Sequence, residues 1–276
     1  MANSLSSALE VAMRTDPGLV RGDNEDSILV DLTHGFAILA DGMGGYDAGE
    51  VASKMATTLL ANRLLATFAN TPAHSANGHA AQSSLRRLIG GEIAVVNSAI
   101  HDAAEQQTPF HEMGTTLVVA VFCDDHLVAA HVGDSRLYRL RGRKLKALTR
   151  DHSLLQEQID SGLVSPAEAR YAVNRNLVTR ALGIEPAVEP EVHVYKVRPG
   201  DIYLLCSDGL HDMVTDQEIQ YLLEEFRLYP DRMVAELVDL ANSHGGEDNI
   251  SVIVIKILHQ FPVAPRGWLK LRSWFS

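Results

Sequence analysis

Apolar positions follow two rhythms along this chain. Leu9 to Thr15 partly alternates and predicts a strand, and Asp16-Pro17-Gly18 after it is turn chemistry. Ser27 to Leu32 and Phe36 to Ala40 predict two more strands, split by Thr33-His34-Gly35. From Ala48 to Phe68 the period lengthens to that of a helix, with Val51, Met55, Thr58, Leu59 and Ala66 roughly on one face. Ala69 to Ser84 is rich in Ala, Ser, His, Asn and Gly and reads as a loop or a frayed connection. A second helix is predicted over Leu85 to Gln107, with Gly90-Gly91 a weak point at about 1 kcal/mol per glycine. Thr115 to Leu148 returns to β character, with turns at Cys123-Asp124-Asp125-His126 and near Arg141-Gly142-Arg143. Ser153 to Arg175 is polar and partly helical. Strands recur at Ala187 to Val197, Ile202 to Cys206 and Ile250 to Leu258, and helices at Asp216 to Phe226 and Asp231 to His244. Strands in blocks separated by helix pairs, without strict βαβ alternation, predict an α+β fold with helices laid over antiparallel sheets.

Composition narrows the class. In 276 residues, 46% are apolar and 21% charged, which is globular and excludes wholesale disorder. No repeat or linker divides the chain, so it reads as a single domain over residues 1–260 with a short tail at 261–276. Apolar runs such as Leu117 to Phe122 fall far short of the ~20 residues of a membrane span. Met1 to Leu9 lacks the pattern of a secretory signal, and two cysteines make no disulfide framework. The expected location is therefore cytoplasmic.

The net charge is −11, from 24 basic and 35 acidic residues, and an acidic surface repels a phosphate backbone. Nucleic acid is not the expected partner. Excess acid serves solubility or holds cations, and position separates the two. Asp41, Asp134 and Asp208 each adjoin a glycine at a strand end. Asp248 precedes Asn249 at the start of the last strand, and Glu25-Asp26 opens the second. One aspartate beside glycine is an ordinary turn former. Several of them at strand ends would repel strongly on convergence unless a cation sat among them. Oxygen ligands suit magnesium or manganese. Zinc is disfavoured, because the cysteines lack CxxC spacing and no His-Glu-x-x-His is present.

Arg21-Gly22-Asp23-Asn24-Glu25-Asp26 resembles the first signature of the metal-dependent serine/threonine protein phosphatases, the PPM or type-2C family. Asp41-Gly42-Met43-Gly44-Gly45 resembles the second. Met113-Gly114-Thr115-Thr116, Gly133-Asp134-Ser135-Arg136, Asp151-His152-Ser153, Thr179-Arg180-Ala181-Leu182-Gly183, Ser207-Asp208-Gly209-Leu210 and Asp248-Asn249 follow in the family's order. Methionine after Asp41-Gly42 looks like the bacterial branch.

The resemblance implies two antiparallel β-sheets packed as a sandwich, with helix pairs on both outer faces and metals at one end. It implies that Asp41 bridges two Mn2+ or Mg2+ ions, with Asp208 and Asp248 completing one site. Glu25 and the Gly42 carbonyl help the other, partly through water. Asp134 with Asp208 would hold the third ion of bacterial relatives. Arg21 would grip the substrate phosphate in a forked contact, a shape that guanidinium supplies. Asp26 and Asn249 would support the site from behind. The implied chemistry is in-line attack on phosphoserine or phosphothreonine by a metal-bridging hydroxide, without a covalent intermediate. Cys206 then reads as a core residue. Partners would be phosphorylated proteins, among them a bacterial Ser/Thr kinase or its substrates, met by a monomer.

Departures are local. Met43 replaces the histidine thought to be the general acid in eukaryotic relatives, so water or another group must protonate the leaving oxygen. His152 and His211 read as structural. Residues 153–178 match the family's flap, where bacterial His-Pro before Arg-Asn is here Arg170-Tyr171-Ala172-Val173-Asn174-Arg175-Asn176. Arg170 and Arg175 are the flap candidates for substrate contact. In the tail, Arg266, Lys270 and Arg272 interleave with Trp268, Leu269, Leu271, Trp274 and Phe275. That pattern suits a membrane surface, a docking partner or packing back on the domain. The rival readings are a phosphoprotein-binding pseudophosphatase without turnover, which loss of Asp41, Asp208 or Asp248 would favour, and a phosphodiesterase, which the net charge disfavours.

Overall fold

The computed structural model describes residues 5–45, 47–70, 79–106, 113–123, 125–165, 168 and 177–261. One sheet has the order β1-β11-β10-β7-β8, from Leu9–Asp16, Ile250–Ile257, Ile202–Cys206, Arg136–Arg141 and Lys144–Ala147. The other runs β2-β3-β5-β6-β9, from Asp26–Asp31, Phe36–Met43, Leu117–Cys123, His126–Val132 and Glu191–Lys196, with β4 (Gly114–Thr115) also paired to β3. Every strand pair is antiparallel.

Alternation along the strands builds three apolar layers. In β3, Ala37 and Leu39 face the opposite sheet and meet Leu205, Ile253 and Ile255, while Phe36, Ile38 and Ala40 face outward. The outward set is covered by α1 (Ala48–Asn70) and α2 (His79–Gln106) through Ala52, Leu60, Leu64, Ile89 and Ile93. In β11, Val252 and Val254 point the other way, onto α5 (Asp216–Glu225) and α6 (Pro230–Ser243) through Leu223, Met233 and Leu237. Central strands are therefore buried on both faces, which explains why Leu117 to Phe122 carries no polar residue. The helix pairs cover both outer faces of the sandwich, as the resemblance implied. Cys206 lies in the core, where burial pushes its thiol up.

The elements depart from the sequence reading in places. Helix α2 begins at His79, inside the stretch read as loop, and passes through Gly90-Gly91. Strand β9 begins only at Glu191, since Pro190 cannot donate to a ladder. Within the stretch read as partly helical, α3 spans Leu154–Asp160 and is capped by the Ser153 side chain, whereas the short α4 at Asp208–His211 was not foreseen. Phe261, read as the first tail residue, is buried and meets Phe122 edge to face at 6.0 Å. The rest of the tail lies outside the described residues. Among the described residues no helix is long and apolar enough to cross a membrane.

Candidate metal centre

Antiparallel strands gather starts and ends at each edge of a sandwich, and one edge here collects the acids. Asp41 lies near the end of β3, Asp134 follows β6, Asp208 follows β10, and Glu25 and Asp248 precede β2 and β11. Asp26 opens β2 directly opposite Asp41 in register. The backbone of Asp41 is fixed on both sides: its amide donates to Thr116 Oγ1 at 3.1 Å, and its carbonyl accepts from Thr115 Oγ1 at 2.8 Å. Thr116 Oγ1 meets Ser135 Oγ at 2.7 Å, tying this strand end to the Gly133-Asp134 turn.

Asp26 joins the two sheets. Its Oδ2 accepts from Ser207 Oγ at 2.9 Å, while its buried Oδ1 has no hydrogen-bond partner. Asn249 Oδ1 accepts the Glu25 amide at 2.8 Å, and its Nδ2 donates to the carbonyls of Pro17 and Asp23. Gly42 packs where no side chain fits, since a Cβ there would stand 2.1 Å from the Gly49 carbonyl oxygen. A Cβ on Gly49 would in turn lie 2.8 Å from the Glu25 carboxyl carbon. Small residues at these two positions let β3, α1 and Glu25 close together.

Electrostatics show the crowding. Burial, then the neighbouring charges of Asp26, Asp208, Asp134 and Asp248, hold the Asp41 carboxyl well above its ordinary range. Asp26 is pushed up to about 7 by burial, opposed by the Ser207 hydroxyl and with repulsion from Asp208 and Asp248. Asp134 is pushed up to about 7 by burial and then by Asp208. Burial raises Asp208 to about 6, partly offset by His211, with Asp212 and Asp248 adding to the rise. Glu25 is raised by burial, with Arg21 opposing. Among the described residues Asp41, Asp134 and Asp208 have no lysine or arginine partner. Arg21 Nη2 binds Asp248 Oδ2 at 2.8 Å. An all-oxygen donor set with excess negative charge fits hard divalent cations.

Arg21, Glu25, Asp26, Asp41, Gly42, Asp134, Asp208, Asp248 and Asn249 are thus brought to one end. Beside them opens a cleft of about 240 Å³ lined by Arg21, Gly22, Asp23, Glu25, Gly44, Asp47, Glu50 and Asn249. Arg170 and Arg175 lie outside the described residues. Met43 is half-buried, paired with Gly114. His211 donates from Nε2 to the Asp134 carbonyl at 3.2 Å, in keeping with a structural role. Thr115, Thr116, Ser207 and Asp212 were not singled out as functional. Asp212 caps α4 one turn after Asp208, a spacing visible only once that helix is known.

Residues 20–245 match the family model described as Protein phosphatase 2C. The serine/threonine phosphatase stp of Listeria welshimeri is 38% identical over 251 residues, covering 90% of this chain and 96% of that one. The crystal structure of the Mycobacterium tuberculosis serine/threonine phosphatase PstP/Ppp superposes with a TM-score of 0.81 at 36% identity, covering 91% of this chain and all (100%) of that one. A structure of the PstP catalytic domain in complex with 2 manganese ions gives a TM-score of 0.78 at 36% identity, covering 91% and 99%. By match length, identity and superposition, the chain belongs to the protein phosphatase 2C family.

Proposed function

We propose that the carboxylate end of the sandwich is the catalytic centre of a metal-dependent protein phosphatase. The reaction is hydrolysis of phosphoserine and phosphothreonine in proteins. Asp41, Asp208 and Asp248, with Glu25 and the Gly42 carbonyl, hold Mn2+ or Mg2+ ions, and Asp134 with Asp208 holds a further one. When bound, such ions supply Lewis acidity and make water acidic enough to serve as nucleophile near neutral pH. The observation that carries this reading is the convergence of these oxygens from both sheets, where burial and neighbouring carboxylates raise Asp41, Asp134 and Asp208.

The chain's own residues then have separate tasks. Arg21 orients the phosphoryl oxygens at the mouth of the cleft and neutralises their charge. Asp26 stands behind the ligands and is held by Ser207. Asn249 fixes the Glu25 backbone against the Pro17–Asp23 loop. Met43 has no proton to give, so the leaving alkoxide takes its proton from water or from another group at the cleft. A binding module without turnover is not favoured, because Asp41, Asp208 and Asp248 are all retained.

Finer readings follow from the chemistry. A protein phosphatase needs a kinase to oppose, and the reading is a monomer in a bacterial cytoplasm acting against a Ser/Thr kinase or its substrates. Calorimetric titration of manganese into chelator-stripped protein tests the ligand set. Asp41→Asn and Asp208→Asn should each bind less metal, with phosphothreonine-peptide turnover falling about 10³-fold. Undiminished binding in both variants would contradict the assignment. Cells carrying Asp41→Asn in place of the native chain should accumulate phosphosites on a Ser/Thr kinase or its targets; an unchanged phosphoproteome would contradict the opposing role.

A further inference from the structure

Away from the carboxylates, His131, His152 and Glu191 bring ligand-type atoms within 4.8 Å of one another. A metal ion is the wrong occupant. The imidazoles stack, with centroids 4.7 Å apart and planes 20° apart, so their in-plane lone pairs run side by side instead of meeting. His131 Nε2 donates to the Arg150 carbonyl at 2.7 Å. The Gly133 amide donates to His152 Nδ1 at 3.2 Å, so neutral His152 carries its proton on Nε2, the nitrogen facing Glu191 Oε1 at 3.4 Å.

The contacts of His152 describe a joint. Its own amide donates to the Gly133 carbonyl at 3.0 Å, so Gly133 gives both backbone groups to one residue. The His152 carbonyl accepts the Thr179 amide at 2.8 Å. Next to it, Ser153 bridges Val178, and Leu154 donates to Leu177. Segment 153–178 thus leaves and returns at this residue. Gly133 has φ +98°, a conformation side chains rarely adopt, and the buried Asp134 follows directly.

We propose that His152 is a positioning residue: it clamps Gly133 through Nδ1 and its backbone amide, fixing the adjoining Asp134 in place, and carries the base of segment 153–178 on its carbonyl. This rests on the reading of Asp134 as a metal ligand. The stacked His131 holds the ring so that Nδ1 faces the turn. Residues that orient ligands in this way typically change metal affinity about 10–100-fold when replaced.

Two substitutions separate the clamp from mere packing. His152→Asn puts an acceptor oxygen where Nδ1 stands, whereas His152→Gln fills more of the ring's volume but reaches the place of Nε2. Packing alone ranks Gln above Asn; the clamp ranks Asn above Gln. In manganese titrations of the stripped full chain, His152→Gln should weaken the site that Asp134→Asn removes by about tenfold. His152→Asn should stay within about twofold of the parent. Nitrogen-15 imidazole spectra of the unaltered chain should show His152 bare at Nδ1 and protonated at Nε2. A proton on Nδ1, Gln binding as well as or better than Asn, or neither variant differing from the parent would overturn the proposal. If Asp134→Asn leaves manganese binding unchanged, the ligand reading fails instead, and the imidazole spectrum still decides the clamp.

Discussion

A guanidinium and an ammonium carry equal charge in different shapes, and Arg21 stands where shape counts. With one nitrogen on Asp248, its remaining donors open on the cleft beside Asp23 and Glu25. Arg21→Lys keeps the charge and loses the fork, about one charge-assisted hydrogen bond of 1.5–3 kcal/mol, so kcat/KM for a phosphothreonine peptide should fall at least about tenfold. An unchanged kcat/KM would remove Arg21 from phosphate recognition. At this scale the acids were legible because aspartate beside glycine at a strand end is visible in one dimension. The hydroxyls that hold them were not. Thr115, Thr116 and Ser207 act across strands, and nothing local marks a threonine whose partner is 75 residues away in sequence, as Thr116 is from Asp41.

Two signature stretches meet in one ion pair between elements. Arg136 opens β7 and grips Asp151 with Nε and Nη2, at 2.9 Å to Oδ1 and 2.6 Å to Oδ2, while Nη1 donates to the Tyr138 hydroxyl at 2.9 Å. Both side chains are largely buried, at 27% and 12% exposure, so removing one strands the other. Arg136→Met should cost about 3 kcal/mol in urea unfolding, and adding Asp151→Asn should cost less than the sum by at least about 1 kcal/mol. Strict additivity would mean the pair is not coupled. Element boundaries were legible where periodicity was strong, as in α5 and α6. The start of α2 was not, because His79 to Ser84 has no apolar stripe. Its Gly90-Gly91 pair is carried by the packing of Ile89 and Ile93 against the sheet, which outweighs propensity. Helix α4 was hidden because its four residues include the glycine that had marked a turn.

At the scale of the molecule, stacking two antiparallel sheets between helix pairs brings distant acids to one edge, and the same arrangement makes stability depend on pH and cations. Asp26 and Asp134 at about 7 and Asp208 at about 6 keep protons in the native state that the unfolded chain releases. The native state therefore binds more protons than the unfolded one between about pH 4 and 7, and stability falls as pH rises through that window. Divalent ions should reverse the loss by pairing with the ionised carboxylates. Magnesium should raise Tm by at least about 3 °C more near pH 7.5 than near pH 5. Equal shifts at both would contradict the crowding. The α+β class was legible from blocks of strands; the side on which each strand end emerges came from the register. The most direct test of the whole account is turnover of a phosphothreonine peptide by chelator-stripped protein as manganese is returned. Silence in chelator and a saturable rise with manganese are expected. Turnover that persists in chelator, or none after manganese is restored, would contradict it.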